Sequence, residues 1–365
     1  MKYLLATACS MLAMSAVNVA SADTLTYGSY LSANHATNKM AVEPYMRAVE
    51  EQTGKSLTFT MAADGTLIGG RDALSGVRDG VVDMAMIVDL YTPNELVTSN
   101  ILSELALLGS DDAVMSGAAN EMQLLNCPTC VTEAANNNLH VLAVYASAPY
   151  ACICNQKLQT AADFKGKRIR ATGAWAKFAA SLGATPVNIT SGEMYEALQR
   201  GQVDCTLINV PALTNYSLHE VAKFVVNLPV GTFNGGHYLN MNTTVWDKRS
   251  EEEKTALRDH RAMSLAKLVE GARAEDKSAR EAAAKSSVEF IDPDPSLVKA
   301  LEDYRNSELA RVAELAKTRG LTDPEPLLAK FQELVAKWER IVAETGGDTA
   351  KYQAALQSEI FSKAE

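Results

Sequence analysis

Apolar residues along this chain follow two rhythms, a period of two and a period near 3.6, in an order that predicts an α/β protein. Leu25–Tyr30 alternates as an opening strand, and Ser32–His35 supplies turn and cap residues for a helix running to about Gln52. Met40, Val42, Met46 and Val49 keep helical spacing there, and Gly54 closes the helix. Leu57, Phe59 and Met61 alternate in a second strand, Ser56–Ala62, and Ile68–Gly80 holds a turn and a short helix around Leu74 and Val77. Val81–Val88 reads VVDMAMIV, which suits a strand covered on both faces. This βαβαβ opening argues for a parallel sheet with right-handed crossovers.

Ile101–Leu108 and Ala113–Leu125 are helical in pattern, Val141–Tyr145 is another apolar strand, and Pro149–Cys154 begins a crossing into a second domain. The body of that domain is Asp163–Asn209. Lys165-Gly166 marks a turn, and Arg168–Ala171 sets Ile169 between two arginines in strand alternation. Trp175–Leu182 has helical spacing and stops at Gly183; Thr185–Ile189 is a short strand. A helix through Tyr195, Leu198 and Gln199 follows Thr190-Ser191 and ends at Gly201, with Glu193 placed to complete a capping box from Thr190. Val203–Asn209 is the next strand. Two βα units with an arginine leaving the first strand form a binding layout, because ligands of open α/β sheets dock beyond the carboxyl ends of the strands.

Phe224–Leu228 leads past Gly231–Gly236 to a strand, His237–Met241, expected to return to the first domain. From Ser250 the pattern is helical. Ser250–Glu253 caps a helix continuing through Leu257, Met263, Leu265 and Leu268 toward Ala284, long enough to span both domains. Val288–Ile291 is a short strand, and Pro295–Lys317 and Pro326–Val342 are amphipathic helices. The second carries Leu327, Phe331, Leu334, Trp338 and Ile341 on one face, a stripe suited to core packing. The expected organisation is a leader at 1–22 and a first α/β domain from 23–147 with about 236–275. A second α/β domain takes 148–235 with about 276–330, and a C-terminal helical extension takes 331–365.

Composition narrows the function. The 365 residues carry a net charge of −10, with 47% hydrophobic and 21% charged residues, so the basic footprint of a nucleic-acid binder is missing. Lys2, the apolar run Leu4–Val19 and Ala20-Ser21-Ala22 before Asp23 form an export signal with its cleavage site. A soluble mature protein in the periplasm is expected. Five cysteines then remain: Cys127, Cys130, Cys152, Cys154 and Cys205. An oxidising compartment permits disulfides, and the odd count leaves a free thiol. Cys127-Pro-Thr-Cys130 follows a helical rather than a strand pattern, which favours a local structural disulfide over a redox site. Cys152 and Cys154 share a strand face, and Cys205 is available to bridge to either. Zinc is not expected without a second C-x-x-C.

No nucleophile elbow, P-loop, dinucleotide fingerprint or metal-spaced histidine pair is present. Glu193 and Glu196 share a helix face, but Glu193 is better used as a cap than as half of an acid pair. A binding protein without metal or cofactor is the expectation, ahead of an exported enzyme.

The residues of Asp163–Asp204 give that expectation a family. Lys165-Gly166-Lys167-Arg168-Ile169-Arg170, Leu182-Gly183-Ala184-Thr185-Pro186-Val187 and Glu193–Asp204 resemble the solute-binding proteins of tripartite ATP-independent periplasmic (TRAP) transporters, dicarboxylate-binding type. Gly65–Gly69 and Gly80–Asp83 are similar to that family's first-domain signatures. The resemblance implies two α/β domains around a cleft, joined by hinge strands and a long helix, with delivery of a ligand to a sodium-driven TRAP-type membrane permease. It assigns Arg170 to a ligand carboxylate. A guanidinium fork makes two charge-assisted bonds to a planar carboxylate, and losing it from a closed cleft costs about 3–5 kcal/mol. Arg168 lies nearer the strand start and is expected to be solvated.

Many relatives carry another ligand arginine on the preceding strand, where this chain has Tyr150. One cation fewer argues against a strongly charged diacid and for a small organic monocarboxylate, aromatic or hydroxylated. A sugar acid or dicarboxylate, or a sensor module of the same fold, are the alternatives. Tyr150 and Tyr30 are expected to shape the pocket, with ring surface from Trp175, Phe178 and Tyr91. Asp89 is placed to take a ligand hydroxyl or ammonium, Asn209 to make a polar contact at the end of its strand, and His237 and Tyr238 lie where the chain recrosses the cleft.

Overall fold

The computed structural model describes residues 23–364, so the expected leader at 1–22 lies outside the described residues. The opening follows the predicted rhythm: β1 (Asp23–Gly28), α1 (Glu43–Gln52), β2 (Leu57–Ala62) and α2 (Ala73–Arg78). The first helix is entered through a wide π turn, Thr37–Val42. β1 pairs in parallel with β2, as the crossover argument requires. The apolar run predicted as one strand splits into β3 (Met84–Ala85) and β4 (Ile87–Val88). Its first half pairs with β1 and its second half with a strand from much later in the chain, so the run changes partners at Met86.

Then come α3 (Val97–Ser103), α4 (Asp112–Glu121), α5 (Pro128–Asn136) and β5 (Leu139–Tyr145). α5 was not foreseen: Pro128 at its first turn follows the second π turn, Met122–Asn126, and the Cys127–Cys130 disulfide staples its start. The second sheet uses β6 (Tyr150–Cys154), β7 (Arg168–Arg170), α6 (Gly173–Ser181), β8 (Thr185–Val187), α7 (Met194–Gln199), β9 (Cys205–Asn209), α8 (Ala212–Asn215) and β10 (Phe224–Val226). The chain recrosses with β11 (Gly236–Asn242), followed by α9 (Thr243–Asp247), α10 (Glu251–Asp259), α11 (Arg261–Ala283), β12 (Glu289–Ile291), α12 (Pro295–Thr318), α13 (Glu325–Thr345) and α14 (Thr349–Leu356).

Two α/β lobes result. In the first, β2-β1-β3 and β4-β11-β5 form two three-stranded sheets joined by the run 84–88. In the second, six strands run in the order β12-β10-β6-β9-β7-β8. β7 is parallel to both β8 and β9, while β6 is antiparallel to β9, which puts Tyr150 opposite Asn209. The predicted continuous helix from Ser250 breaks at His260, and only α11 runs on along both lobes, packing on α1 and α4 of the first and α8 of the second. The capping box predicted for Thr190 and Glu193 forms, and the predicted cap at Ser250 is a capping box with Glu253.

α13 lies on α4 of the first lobe. Trp338 is fully buried and donates its indole N–H to Glu121 at 2.8 Å, and a Cβ on Gly117 would collide with its ring. Tyr352 on α14 donates to the Ala113 carbonyl at 2.7 Å. Cys154 is bridged to Cys205 across β6 and β9, leaving Cys152 as the buried free thiol with its sulfur 3.4 Å from Cys154. Burial pushes that thiol up to about 12. No helix among the described residues is long and apolar enough to cross a membrane.

Candidate functional site

Three parallel strands of the second lobe end at the same edge, and Arg170 is the last residue of one of them. Its side chain is 2% exposed and held by the protein's own carbonyls. Nε donates to the Ile189 carbonyl at 3.0 Å, Nη1 to Leu207 at 3.4 Å and Nη2 to the Tyr91 hydroxyl at 3.5 Å. These partners are neutral, and among the described residues no carboxylate forms an ion pair with the guanidinium. Arg168 does the opposite: it is half exposed and paired with Asp204 at 3.2 Å, as expected of a solvated arginine.

Arg170 lines a cavity between the lobes that holds about 790 Å³ of space free of protein atoms, open solvent at its mouth included. Five tyrosines line it: Tyr30, Tyr91, Tyr145, Tyr150 and Tyr216, with Phe233 beside them. Tyr30 and Tyr91 meet edge to face at 6.3 Å, and Tyr145 meets Phe233 in the same way. Burial raises the phenol pKa of Tyr30, Tyr145 and Tyr150, and lifts Tyr216 to about 12, so all four are neutral donors at physiological pH. His35, also in the lining, is pushed down to about 4 by burial and is neutral as well.

The lobes touch through this cavity. The Tyr91 hydroxyl, from the first lobe, accepts the backbone N–H of Ser191 at 3.1 Å, and Arg71 reaches the Asn188 carbonyl at 3.4 Å. Lys177 on α6 pairs at 2.6 Å with the buried Glu104 of the first lobe.

The predicted site residues divide between the cavity and other places. Arg170, Tyr150, Tyr30 and Asn209 all line it, Tyr150 and Asn209 side by side because β6 and β9 run antiparallel. Trp175 does not. It lies fully buried behind Tyr150, stacked on that ring at 4.2 Å, with its N–H on the Val230 carbonyl at 2.6 Å. Phe178 packs edge to face on Tyr304.

Asp89 departs furthest from expectation. The turn Asp89–Tyr91 after β4 aims Tyr91 at the cleft and Asp89 inward, where Ser103 donates to its carboxylate. It lines a second, smaller cavity within the first lobe together with Ser103, Asn234 and His237. Desolvation raises the Asp89 carboxyl well above the usual range, and burial lowers His237 to about 4. Tyr238 projects to the other side of β11, where it accepts Tyr27 on its carbonyl at 2.8 Å and donates to Ser264 at 3.3 Å. The face each of these side chains takes is not readable from the sequence.

Tyr145, Tyr216, Phe233, His35 and Glu275 were not foreseen. Tyr145 ends β5 and carried the same strand-end signal as Tyr30. The other four stand on a turn, a crossing segment, a helix entry and α11, where no local pattern marks a cavity wall.

Comparison with known proteins agrees with this architecture. The family model of bacterial extracellular solute-binding protein, family 7, matches residues 27–314. A solute-binding protein of Albidiferax ferrireducens is 20% identical over 264 residues, covering 72% of this chain and 77% of that protein. A TRAP solute-binding protein of Rhodoferax ferrireducens solved with copurified benzoate superposes with a TM-score of 0.78 at 20% identity, over 88% of this chain and 99% of that one. A marine metagenome TRAP solute-binding protein specific for aromatic acid ligands, solved with 3-hydroxybenzoate, gives 0.77 at 22% identity, over 87% and 99%. The residues beyond 314, including α13 and α14, lie outside the family match. The chain thus belongs to bacterial extracellular solute-binding protein family 7.

Proposed function

We propose that this receptor captures a small aromatic or hydroxylated monocarboxylate. The observation that carries the proposal is Arg170, a buried guanidinium with only neutral partners in a cavity walled by tyrosines. Arg170 binds the carboxylate, Tyr150 and Tyr30 bound the remainder, and Asn209 adds a polar contact. The absence of a second arginine at Tyr150 favours one carboxylate over two. Benzoate and 3-hydroxybenzoate in relatives of the same fold support the ligand class. Closure of the lobes removes water and strengthens the ion pair.

The wider setting belongs to the same proposal. A leader at 1–22 exports the chain to the periplasm, a TRAP-type permease receives the ligand, and no turnover takes place. In the same proposal the lobes take the expected bounds, with β12 in the second and one modification, that α13 and α14 attach to the first lobe.

A thermal-shift screen of purified protein tests the ligand class. Aromatic and hydroxy monocarboxylates at a hundredfold excess over Kd stabilise by about 2.7 kcal/mol, read as a rise in Tm. Stabilisation by amines or neutral sugars alone refutes it.

A further inference from the structure

The cavity that holds Arg170 holds one carboxylate as well. Glu275 lines it from α11, the helix that runs along both lobes, and no other acidic side chain does. A neutral group holds it: Asn215 donates to it from α8 at 3.2 Å, and the nearby Ala36 backbone of the first lobe favours its ionised form. No lysine or arginine pairs with it among the described residues. Tyr216 connects the two charges. Its phenol feels both the Arg170 guanidinium, which favours ionisation, and the Glu275 carboxylate, which opposes it, while its hydroxyl donates to Ser191 at 3.2 Å. The cavity therefore has a positive group and a negative group, with the neutral phenol of Tyr216 near both. Burial raises the Glu275 pKa, so its anion is under-solvated and gains from any further donor.

We propose that Glu275 is a specificity determinant: it accepts a hydrogen bond from a hydroxyl or amine N–H of the ligand and rejects a ligand that brings a second carboxylate. The proposal rests on the assignment of Arg170 as the carboxylate anchor. Like charges in a site of reduced dielectric repel strongly, whereas a protic donor meets an acceptor that the protein has left with spare lone pairs. A polar receptor also discriminates most sharply when a mismatched ligand leaves a buried group opposed or unpaired.

Three acids that share one ring test it: benzoate, 3-hydroxybenzoate and isophthalate, which places a carboxylate where the second has its hydroxyl. Calorimetric titration of the wild type is expected to rank 3-hydroxybenzoate first, benzoate second and isophthalate last. In Glu275→Gln the isophthalate-to-benzoate affinity ratio rises about 10- to 100-fold, and the advantage of 3-hydroxybenzoate over benzoate falls about 5-fold. 3-Aminobenzoate distinguishes an N–H donor from a hydroxyl. A variant that merely loosened the helix would weaken all the acids alike and leave both ratios unchanged, which overturns the proposal. Arg170→Met separates the two levels. If benzoate binding survives it, the anchor assignment fails; if binding is lost while the Glu275→Gln ratios stay at wild-type values, the anchor stands and the Glu275 inference fails. If none of the acids binds the wild type, the aromatic-acid assignment and this inference fall together.

Discussion

Two cavities in this molecule are built from the same kinds of residue and behave differently. The one between the lobes has Arg170, Glu275 and five tyrosines, and its wall comes from both lobes and α11. The one inside the first lobe has Asp89, Ser103, Asn234 and His237. In the first, the charged group is held only by carbonyls and hydroxyls, so its charge is left for a ligand to use. In the second, burial pushes Asp89 up and His237 down, and both groups are driven toward their neutral forms. A charge kept costs stability and serves binding; a charge suppressed serves packing.

Replacing the kept charge gives the largest expected effect. Arg170→Met should weaken binding of an acid ligand by about 3–5 kcal/mol, more than a hundredfold in Kd, while the ligand-free protein unfolds at the same temperature or higher. Asp89→Asn should leave Kd within twofold, because the side chain faces the other cavity; a large loss would unite the two cavities and break the contrast. The pH dependence of stability comes next. The folded His237 has a pKa of about 4 against 6.5 when unfolded, so as pH falls from 6.5 toward 4 the unfolded chain takes up a proton that the folded one refuses. Stability drops through that window, and His35 and His140 add to the same limb. His237→Gln should flatten it by about 1–3 kcal/mol in denaturant titrations at pH 4.5 relative to pH 7.5.

Gly235→Ala probes the smaller cavity by volume, since a Cβ there would collide with the Asp89 carboxylate and the Ser103 hydroxyl. It should cost about 1–3 kcal/mol of stability with no change in Kd beyond that from unfolding. Tyr150→Phe is the smallest perturbation. It removes one hydroxyl and keeps the ring on Trp175, and should cost about 0.5–1.5 kcal/mol of ligand affinity if that hydroxyl meets the ligand.

Much of the fold was readable because its signals are local. The turn at Lys165-Gly166, the capping boxes at Thr190 and Ser250 and the alternation in β1 and β2 each depend on a few neighbouring residues. The run 81–88 was read as one strand because nothing in its composition records a change of partner at Met86. For the cavity, strand-end position brings out Arg170 and Tyr30, and the family resemblance brings out Tyr150 and Asn209. The resemblance also points to Asp89, but one turn of backbone after β4 reverses which side chain faces the cleft. Glu275 and Tyr216 could not be read at all, because they reach the cavity only through the packing of α11 and the turn after α8 against both lobes.

The attachment of α13 to α4 has a consequence for the order in which the chain becomes a folded object. Trp338 fills the space over Gly117 and satisfies Glu121, a partner 217 positions earlier in the chain. A chain emerging from its amino end cannot finish the first lobe until that helix arrives. The face of α4 that Trp338 covers must stay open to water or to a chaperone through most of synthesis.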